Sequence, residues 1–417
     1  MRTSFRLVAW LALAPGAAAC GSGGPPAPLL LISVDGLRHD YLDKTDLPHL
    51  ARLVREGVRA SLVPAFPTKT FPNHYTIVTG LYPEEHGIVA NTMYDAALDA
   101  WFSMSNRAAV QDGRWWGGEP IWITAERAGW RTAPLFWPGS EAEIRGLRPT
   151  HWVPFDNTMP NETRIDSVLA WLDAPGAVRP VFLTLYVSTV DVAGHDHGPE
   201  SAELVAALQD LDALVERLLA GLERRQLLDE MNIVLVSDHG HAATSPDRVI
   251  VIDDLLPAGL ARIVDWSPVL QLRPEPGLED SVYRVLAGRH PHLQVYRRAD
   301  VPAHLHYRAN PRIQPIVAIA DEGWSITTRR RLRERPAALM GANHGWDPAL
   351  PSMWGTFLAV GPAFRQGLVG DPVASIHLYE LMCRLLNLTP APNSGSPDST
   401  AWMLVGRATA EKGNSEK

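Results

Sequence analysis

The sequence predicts an α/β protein with a largely parallel central β-sheet sandwiched between helix layers. Apolar runs of strand length recur along the chain without polar alternation, which is typical of strands buried on both faces. Amphipathic patterns with apolar residues three and four positions apart lie between these runs, as in layered α/β domains. The 417 residues, 46% of them hydrophobic and 20% charged, are enough for a large buried core.

The predicted strands are four apolar runs at 29–34, 181–187, 233–237 and 356–360. The predicted helices, from their 3.6-residue periodicity, are 47–56, 121–128, 164–172, 201–223 and 376–388. Residues 250–341 carry no motif that places them on this sheet, so we expect an insertion or subdomain there. We predict a single domain over 29–405 and a disordered polar tail over 406–417.

The distribution of charge along the chain argues against duplex nucleic acid as a binding partner. The chain has 38 Lys and Arg against 46 Asp and Glu, a formal net charge of -8, and only four of the basic residues are lysines. The arginine cluster at 329–335 is interrupted by glutamate, and we interpret it as a solvated surface segment.

The N-terminus predicts export. Residues 1–19 combine two arginines, the apolar stretch 7–14 and small residues, which are the three parts of a signal peptide. Cys20 follows as in a bacterial lipobox and begins a Gly- and Pro-rich flexible tether over 20–28. We therefore predict an exported bacterial protein, either periplasmic or held at the envelope by a lipid anchor on Cys20.

Three of the strand-like runs end in an acid. Asp35 follows the first run, Asp191 follows the second when that run is continued through Val190, and Asp238 follows the third. Ligands of open α/β sheets bind in the crevice beyond the carboxyl ends of the strands. Three carboxylates in that crevice would repel one another unless cations were bound.

Histidines accompany these acids. His195 is four residues beyond Asp191, His239 directly follows Asp238, and His344 stands in an Asn-His-Gly sequence. Each residue alone is typical of a cap, a turn or a core position, but together they indicate a metal centre. Nitrogen and oxygen ligands without thiolate favour zinc, with manganese, iron or cobalt as alternatives.

A short helix is predicted between the first and second acids. Pro72 suits its first turn and Gly80 its end. Thr70 would then be the N-cap, where unpaired N–H groups and the helix dipole can hold an anion. An ordinary capping threonine is the alternative that this segment leaves open.

Taken together, these motifs resemble those of the nucleotide pyrophosphatase/phosphodiesterase family of the alkaline phosphatase superfamily, in its compact bacterial form. The resemblance extends over about residues 29–388 and implies an alkaline-phosphatase-like fold. The motifs that carry it are Asp35, Thr68-Lys-Thr-Phe-Pro-Asn-His-Tyr75, Gly80-Leu-Tyr-Pro-Glu-Glu-His-Gly-Ile-Val-Ala-Asn91, Asp191-Val-Ala-Gly-His195, Asp238-His239 and His344.

The resemblance implies two zinc ions per chain, with His195 rather than the nearby His197 as a ligand. The implied ligands are Asp191, His195 and His344 for one ion, and Asp35, Asp238, His239 and the hydroxyl of Thr70 for the other.

A substrate site is implied as well. Asn91 matches the family residue that binds a non-bridging phosphate oxygen together with a backbone N–H near Thr70. Phe71 and Phe155 match the aromatic slot in which a nucleobase stacks, although packing residues are the alternative for both. Thr92 and the Ser-Thr pair at 188–189 depart from common family patterns, so the resemblance does not transfer substrate detail.

The expected activity is hydrolysis of nucleotide phosphodiester or phosphoanhydride bonds to nucleoside 5'-monophosphates. The resemblance implies attack by Thr70, a covalent phosphothreonine ester and net retention at phosphorus. Three carboxylates leave two divalent ions with a formal excess of one positive charge, which suits a diester better than a monoester. The alternatives are phospholipid head groups or other diesters as substrates, and a non-catalytic metal-binding envelope protein; a sulfatase Cys/Ser-x-Pro-x-Arg signature is missing around Thr70.

Overall fold

The computed structural model describes residues 24–334 and 339–406. The predicted signal peptide, Cys20 and the predicted tail beyond residue 406 lie outside this range. In the described part of the chain, every helix is too short or too polar to cross a lipid bilayer.

Strands and helices are interspersed along the described residues. In chain order the strands are β1 (Leu29–Val34), β2 (Val58–Val63), β3 (Thr92–Asp95), β4 (Ala100–Ser103), β5 (Thr132–Pro134), β6 (Phe182–Val187), β7 (Asn232–Val236), β8 (Ala242–Ala243), β9 (Val249–Val251), β10 (Ala261–Asp265), β11 (Val269–Pro274), β12 (Leu293–Arg297), β13 (Ile316–Ala320), β14 (Ser325–Thr327), β15 (Ala342–Asn343), β16 (Gly355–Val360), β17 (Leu368–Val369) and β18 (Val373–Ala374). The α-helices are α1 (Pro48–Glu56), α2 (Thr70–Thr79), α3 (Pro83–His86), α4 (Arg107–Val110), α5 (Ile121–Arg127), α6 (Asn161–Leu172), α7 (Thr189–His197), α8 (Ala202–Arg224), α9 (Glu279–Leu286), α10 (Arg329–Glu334), α11 (Leu378–Leu385) and α12 (Asp398–Ala401).

An eight-stranded sheet forms the centre of the fold. Its order is β17-β2-β16-β7-β1-β6-β5, and β18 also pairs with β2. β1 lies parallel to both β6 and β7, and β5 is parallel to β6. β16 runs antiparallel to β7 and β2. The predicted largely parallel sheet is confirmed, with the predicted strand at 356–360 as its antiparallel member.

Helices cover both faces of this sheet, as the sequence predicts. Successive residues of a strand point to opposite faces. Leu29 and Leu31 of β1 therefore enter a core shared with α2, α5 and α11, while Leu30 and Ile32 enter a second core shared with α1, α6 and α8. The continuous apolar run of β1 is thus buried on both sides.

Residues 250–341 contribute a separate antiparallel sheet. Its strand order is β10-β11-β13-β12, and within the described part of this stretch no strand joins the central sheet. Apolar residues of these strands and of α9 form their own core, which includes Leu272, Leu286 and Ile316. The subdomain boundaries themselves stay a prediction.

The central sheet sets the position of the acids. In the pairing register, Val34 at the end of β1 lies opposite Val187 of β6, and Ser33 lies opposite Val236 of β7. Because the three strands are parallel and adjacent, their carboxyl ends meet at one edge. The chain segments that carry Asp35, Asp191 and Asp238 begin at that edge.

Candidate active site and metal centre

The three predicted acids converge at the carboxyl edge of the sheet. Asp35 directly follows β1, and Asp238 is two residues beyond β7. Asp191 lies in the first turn of α7 rather than at the end of a strand. Asp35 and Asp238 are only 2% and 1% exposed, so both carboxylates are removed from water.

Both predicted ligand sets form compact clusters. Ligand atoms of Asp35, Asp238 and His239 lie within 4.8 Å of one another, and so do those of Asp191, His195 and His344. The Thr70 hydroxyl oxygen is 3.4 Å from Nε2 of His239. His197, by contrast, is exposed to solvent.

Two buried carboxylate oxygens in this region have no hydrogen-bond donor among the described residues, Oδ1 of Asp35 and Oδ2 of Asp238. The other oxygen of Asp35 accepts a hydrogen bond from the Tyr186 hydroxyl at 2.6 Å. A buried anionic oxygen without a donor is costly, and a divalent cation would satisfy it. The donor set therefore fits the metal ions that the sequence implies.

The histidine rings are oriented for metal binding. In each, Nδ1 faces a main-chain carbonyl oxygen, so we assign the N–H to Nδ1 and leave the lone pair of Nε2 for an ion. The contacts run from His195 to Ala342 (2.9 Å), from His344 to Thr68 (2.7 Å) and from His239 to Gly240 (3.1 Å).

Like charges crowd this site. Burial, followed by repulsion from Asp238 and Asp191, raises the pKa of Asp35. Burial, followed by the neighbouring rings of His239 and other histidines, lowers the pKa of His344 well below its ordinary value. Divalent cations would favour ionised carboxylates and neutral imidazoles, and so would relieve this repulsion.

Helix α2 presents Thr70 at its N-terminal end. The N-cap is Lys69, whose backbone is extended (φ -120°, ψ 156°) and whose carbonyl accepts a hydrogen bond from the Asn73 N–H at 3.1 Å. The prediction that Thr70 is the N-cap is therefore wrong by one residue, since the change from extended to helical backbone falls between Lys69 and Thr70. Pro72 lies in the first turn as predicted, and Gly80 ends the helix with φ 65°.

Asn91 is adjacent to the start of α2. Its Oδ1 accepts a hydrogen bond from the Phe71 backbone N–H at 3.0 Å. The amide N–H groups of Asn91 are then left for another acceptor. The predicted phosphate-binding pair is thus brought together, but the Phe71 N–H is already used by Asn91.

A cavity adjoins Thr70. Phe71 and Phe155, the two predicted stacking residues, both line it. Phe155 is 36% exposed, whereas Phe71 also packs on the aromatic core through Phe102 and Trp116. The other residues that line the cavity are Met104, Arg107, Val110, Phe136, Trp137, Pro138, Glu141 and Tyr186.

Three residues that contact the predicted ligands were not singled out from the sequence. Tyr186 donates to Asp35, His74 Nδ1 lies 3.3 Å from Oδ2 of Asp238, and His241 Nε2 lies 3.0 Å from Oδ1 of Asp191. The sequence contains a signal that could have pointed to each of them. Tyr186 is the one hydroxyl-bearing aromatic in an apolar strand, His74 is one helical turn beyond Thr70, and His241 is two residues beyond His239.

Comparison with known proteins places the chain in a family. The family model described as type I phosphodiesterase/nucleotide pyrophosphatase matches residues 29–347. Human ectonucleotide pyrophosphatase/phosphodiesterase family member 5 is 39% identical over 370 residues, which is 88% of this chain and 76% of that protein. Mouse bis(5'-adenosyl)-triphosphatase enpp4 is 38% identical over 382 residues, 90% of this chain and 81% of that protein. The chain spans about half the length of other curated relatives, the venom phosphodiesterases of Crotalus adamanteus among them.

A solved structure supports the same assignment. It is an inactive threonine-to-alanine variant of murine ectonucleotide pyrophosphatase/phosphodiesterase 5 in complex with AMP, and it matches this fold with a TM-score of 0.86 at 38% identity. The match covers 91% of this chain and 100% of that chain. The chain therefore belongs to the type I phosphodiesterase/nucleotide pyrophosphatase family of hydrolases, within the alkaline phosphatase superfamily.

Proposed function

We propose that this protein is a two-zinc nucleotide pyrophosphatase/phosphodiesterase that produces nucleoside 5'-monophosphates through a phosphothreonine intermediate on Thr70. The observation that carries the proposal is the meeting of Thr70, two metal-ligand clusters and an aromatic cavity in one site. The related murine structure, inactive with alanine in place of a threonine and in complex with AMP, supports both the nucleophile and the substrate class.

The two ions are proposed from the ligand clusters. Asp191, His195 and His344 would hold one, and Asp35, Asp238, His239 and the Thr70 hydroxyl would hold the other. When bound, zinc neutralises phosphate charge and lowers the pKa of a coordinated hydroxyl or water.

Thr70 is the proposed nucleophile. Its oxygen forms the bond to phosphorus while the leaving-group oxygen departs on the opposite side, which leaves a phosphothreonine ester. Water then attacks phosphorus and releases the nucleoside monophosphate and free Thr70. Two in-line displacements give net retention of configuration.

Phosphate orientation is the proposed role of Asn91. Because its Oδ1 is held by the Phe71 N–H at 3.0 Å, its amide N–H groups are available for a non-bridging oxygen. The first turn of α2 adds the partial positive charge of a helix N-terminus. The Asn91 amide and the N-terminus of α2 both lie next to Thr70, so they can act on the phosphate group that Thr70 attacks.

Nucleotide preference is proposed from the aromatic cavity. Stacking of a base on aromatic side chains is worth about 1–3 kcal/mol and tolerates different bases. Phe71 and Phe155 line the same cavity beside Thr70, so a base stacked there would be joined to phosphate at the nucleophile. Arg107, the cationic side chain among the residues that line the cavity, is already paired with Glu141. The residues that line the cavity therefore offer no unpaired cationic side chain to bind the second negative charge of a phosphate monoester.

The substrate class is tested on purified zinc-loaded protein. We expect a large excess of kcat/KM for bis(p-nitrophenyl) phosphate over p-nitrophenyl phosphate, loss of both activities with a chelator, and AMP with pyrophosphate from ATP. Diester cleavage without ATP cleavage would favour lipid or other diesters. A monoester preference would contradict the charge argument, and bound zinc without any hydrolysis would favour a non-catalytic metal-binding protein.

For localisation we propose export, with a lipid anchor on Cys20. The support is the N-terminal pattern of residues 1–28 alone. In a bacterial host the full chain should be recovered in the membrane fraction with a mass that fits cleavage before a lipidated Cys20, and Cys20→Ala should release it. Unprocessed full chain in the cytoplasm would contradict the proposal.

A further inference from the structure

His241 is a buried imidazole at the metal centre with no role in the proposal above. The ring is fully buried, with Nε2 at 3.0 Å from Oδ1 of Asp191 and Nδ1 at 3.1 Å from the carbonyl oxygen of Gly36. A Cβ added to Gly36 or Gly194 would lie 2.3 or 2.8 Å from Cε1 of His241. The ring is therefore packed directly on two glycines, one of them in the turn of α7 between Asp191 and His195.

The contact of His241 with Asp191 differs from that of His195. Nε2 of His195 lies 3.4 Å from the same carboxylate oxygen, too loosely placed for a direct hydrogen bond, as expected for two ligands of one ion. Nε2 of His241 has both the distance and the angle of a hydrogen bond to that oxygen. The ligand atom of His241 also lies within 4.8 Å of those of Asp191 and His239, so its position alone would suit a ligand as well. The aligned 3.0 Å contact with Asp191 favours a donor.

A neutral imidazole has one N–H, whereas both nitrogens of His241 face an acceptor. We assign the proton to Nε2 because a charged carboxylate is a stronger acceptor than the Gly36 carbonyl. The packing of the ring on Gly36 and Gly194 accounts for the closeness of that carbonyl. His241 then has the tautomer opposite to the one assigned to His195, His239 and His344.

We propose that His241 is a positioning residue for the metal centre, which donates a hydrogen bond from Nε2 to Oδ1 of Asp191 and fixes the rotation of that carboxylate. The proposal rests on the zinc site proposed above for Asp191, His195 and His344. Loss of such a partner of a metal ligand typically costs about 10–100-fold in metal affinity.

The test compares zinc affinity, measured by competition with a chromophoric chelator, in His241→Met, His241→Gln and a matched control. We expect about 10–100-fold weaker binding for His241→Met, because methionine fills the volume without donating. Glutamine retains an N–H donor and should restore most of the affinity. The control is His49→Met, which removes another histidine–aspartate hydrogen bond, the 2.9 Å contact to Asp212, away from the site and should bind zinc normally. Wild-type affinity in His241→Met would overturn the proposal.

Nitrogen-15 NMR of the wild-type protein loaded with cadmium-113 tests the role without relying on folding of a variant. We expect a proton on Nε2 of His241 and no coupling of this nitrogen to cadmium, with coupling at His195. Cadmium coupling to His241 would make it a ligand and overturn the positioning role. If His195→Ala binds zinc normally, the proposed site itself fails; if His195→Ala loses zinc and His241→Met does not, only the role of His241 fails.

Discussion

A buried ion pair joins the second sheet to the proposed nucleophile, and Asp265→Asn should reveal its importance. Nζ of Lys69 lies 2.5 Å from Oδ2 of Asp265, and the two side chains are only 7% and 9% exposed. Lys69 is the N-cap of α2 and directly precedes Thr70, whereas Asp265 is the last residue of β10. The pair is therefore a direct contact between residues 250–341 and the start of α2.

The expected loss of stability in Asp265→Asn follows from the burial of the Lys69–Asp265 ion pair. Burial raises the pKa of Asp265 even though Lys69 opposes the rise, so the site is a costly place for a lone charge. Removal of one partner of a buried pair typically costs about 3–5 kcal/mol, because the other charge is left uncompensated. Asparagine can still accept from the ammonium of Lys69, so we expect about 3 kcal/mol, the lower end of that range. Lys69→Met combined with Asp265→Leu should recover most of the stability, since neither charge remains buried.

The assay is urea unfolding of metal-free protein at neutral pH, with kcat of the zinc-loaded protein measured alongside. The matched control is Asp166→Asn, which breaks an Arg217–Asp166 pair of 2.8 Å whose side chains are 46% and 54% exposed. Such an exposed pair contributes about 0–1 kcal/mol. We also expect kcat to fall in Asp265→Asn because the first residues of α2 shift. The reasoning would be refuted if Asp265→Asn lost no more stability than the control and kept wild-type kcat.

Four further predictions follow, three from the site and one from buried His86. Phe155→Ala should lower kcat/KM for ATP about 5–160-fold through lost stacking but leave a diester without a nucleobase nearly unchanged, and equal losses on both would contradict the aromatic slot. Tyr186→Phe removes the 2.6 Å donor to Asp35 and should weaken zinc binding about 10–100-fold in a chelator competition; unchanged affinity would deny it that role. Burial lowers the pKa of His86 from 6.5 to about 3, and Nδ1 of His86 accepts a hydrogen bond from the Ile88 N–H. As the pH falls below 6.5, His86 is therefore protonated in the unfolded chain before it is protonated in the folded protein. The free energy of unfolding should then decrease as the pH falls. By urea unfolding, the wild-type protein should lose about 2 kcal/mol more than His86→Gln between neutral pH and about pH 5, because the other buried histidines contribute equally to both proteins; equal losses in the two would contradict the assignment to His86. Removal of metal by a chelator should abolish hydrolysis and zinc should restore it, whereas activity that survives with no measurable metal would contradict the two-zinc assignment.

The central sheet was predictable because burial on both faces leaves a simple signal. β1, β6 and β7 are continuous apolar runs, and their observed bounds lie within one residue of the predicted ones. The antiparallel direction of β16 was not predictable, since burial on two faces is the same in either direction. Edge strands such as β17, with two residues, are too short for any periodicity to be read.

The sequence predicted those residues of the candidate metal site that come just after buried strands. Asp35 and Asp238 stand directly beyond buried runs, so topology alone brings them together. Asp191 was expected at the end of a strand but lies on α7, because the apolar run continues through Val190 into the helix and periodicity cannot mark the change. Tyr186 and His241 form hydrogen bonds to Asp35 and Asp191, which are distant in the sequence, so their places near other motifs do not reveal which acid each contacts.

The central claim is that Thr70 is the nucleophile of a metal-dependent phosphodiesterase. The most direct measurement is kcat for bis(p-nitrophenyl) phosphate with Thr70→Ala and Thr70→Ser, after zinc content and AMP binding show that both variants retain the folded site. We predict that alanine lowers kcat by about three orders of magnitude or more, and that serine, which keeps a hydroxyl, retains much of the activity. Near-normal turnover in Thr70→Ala would contradict the account.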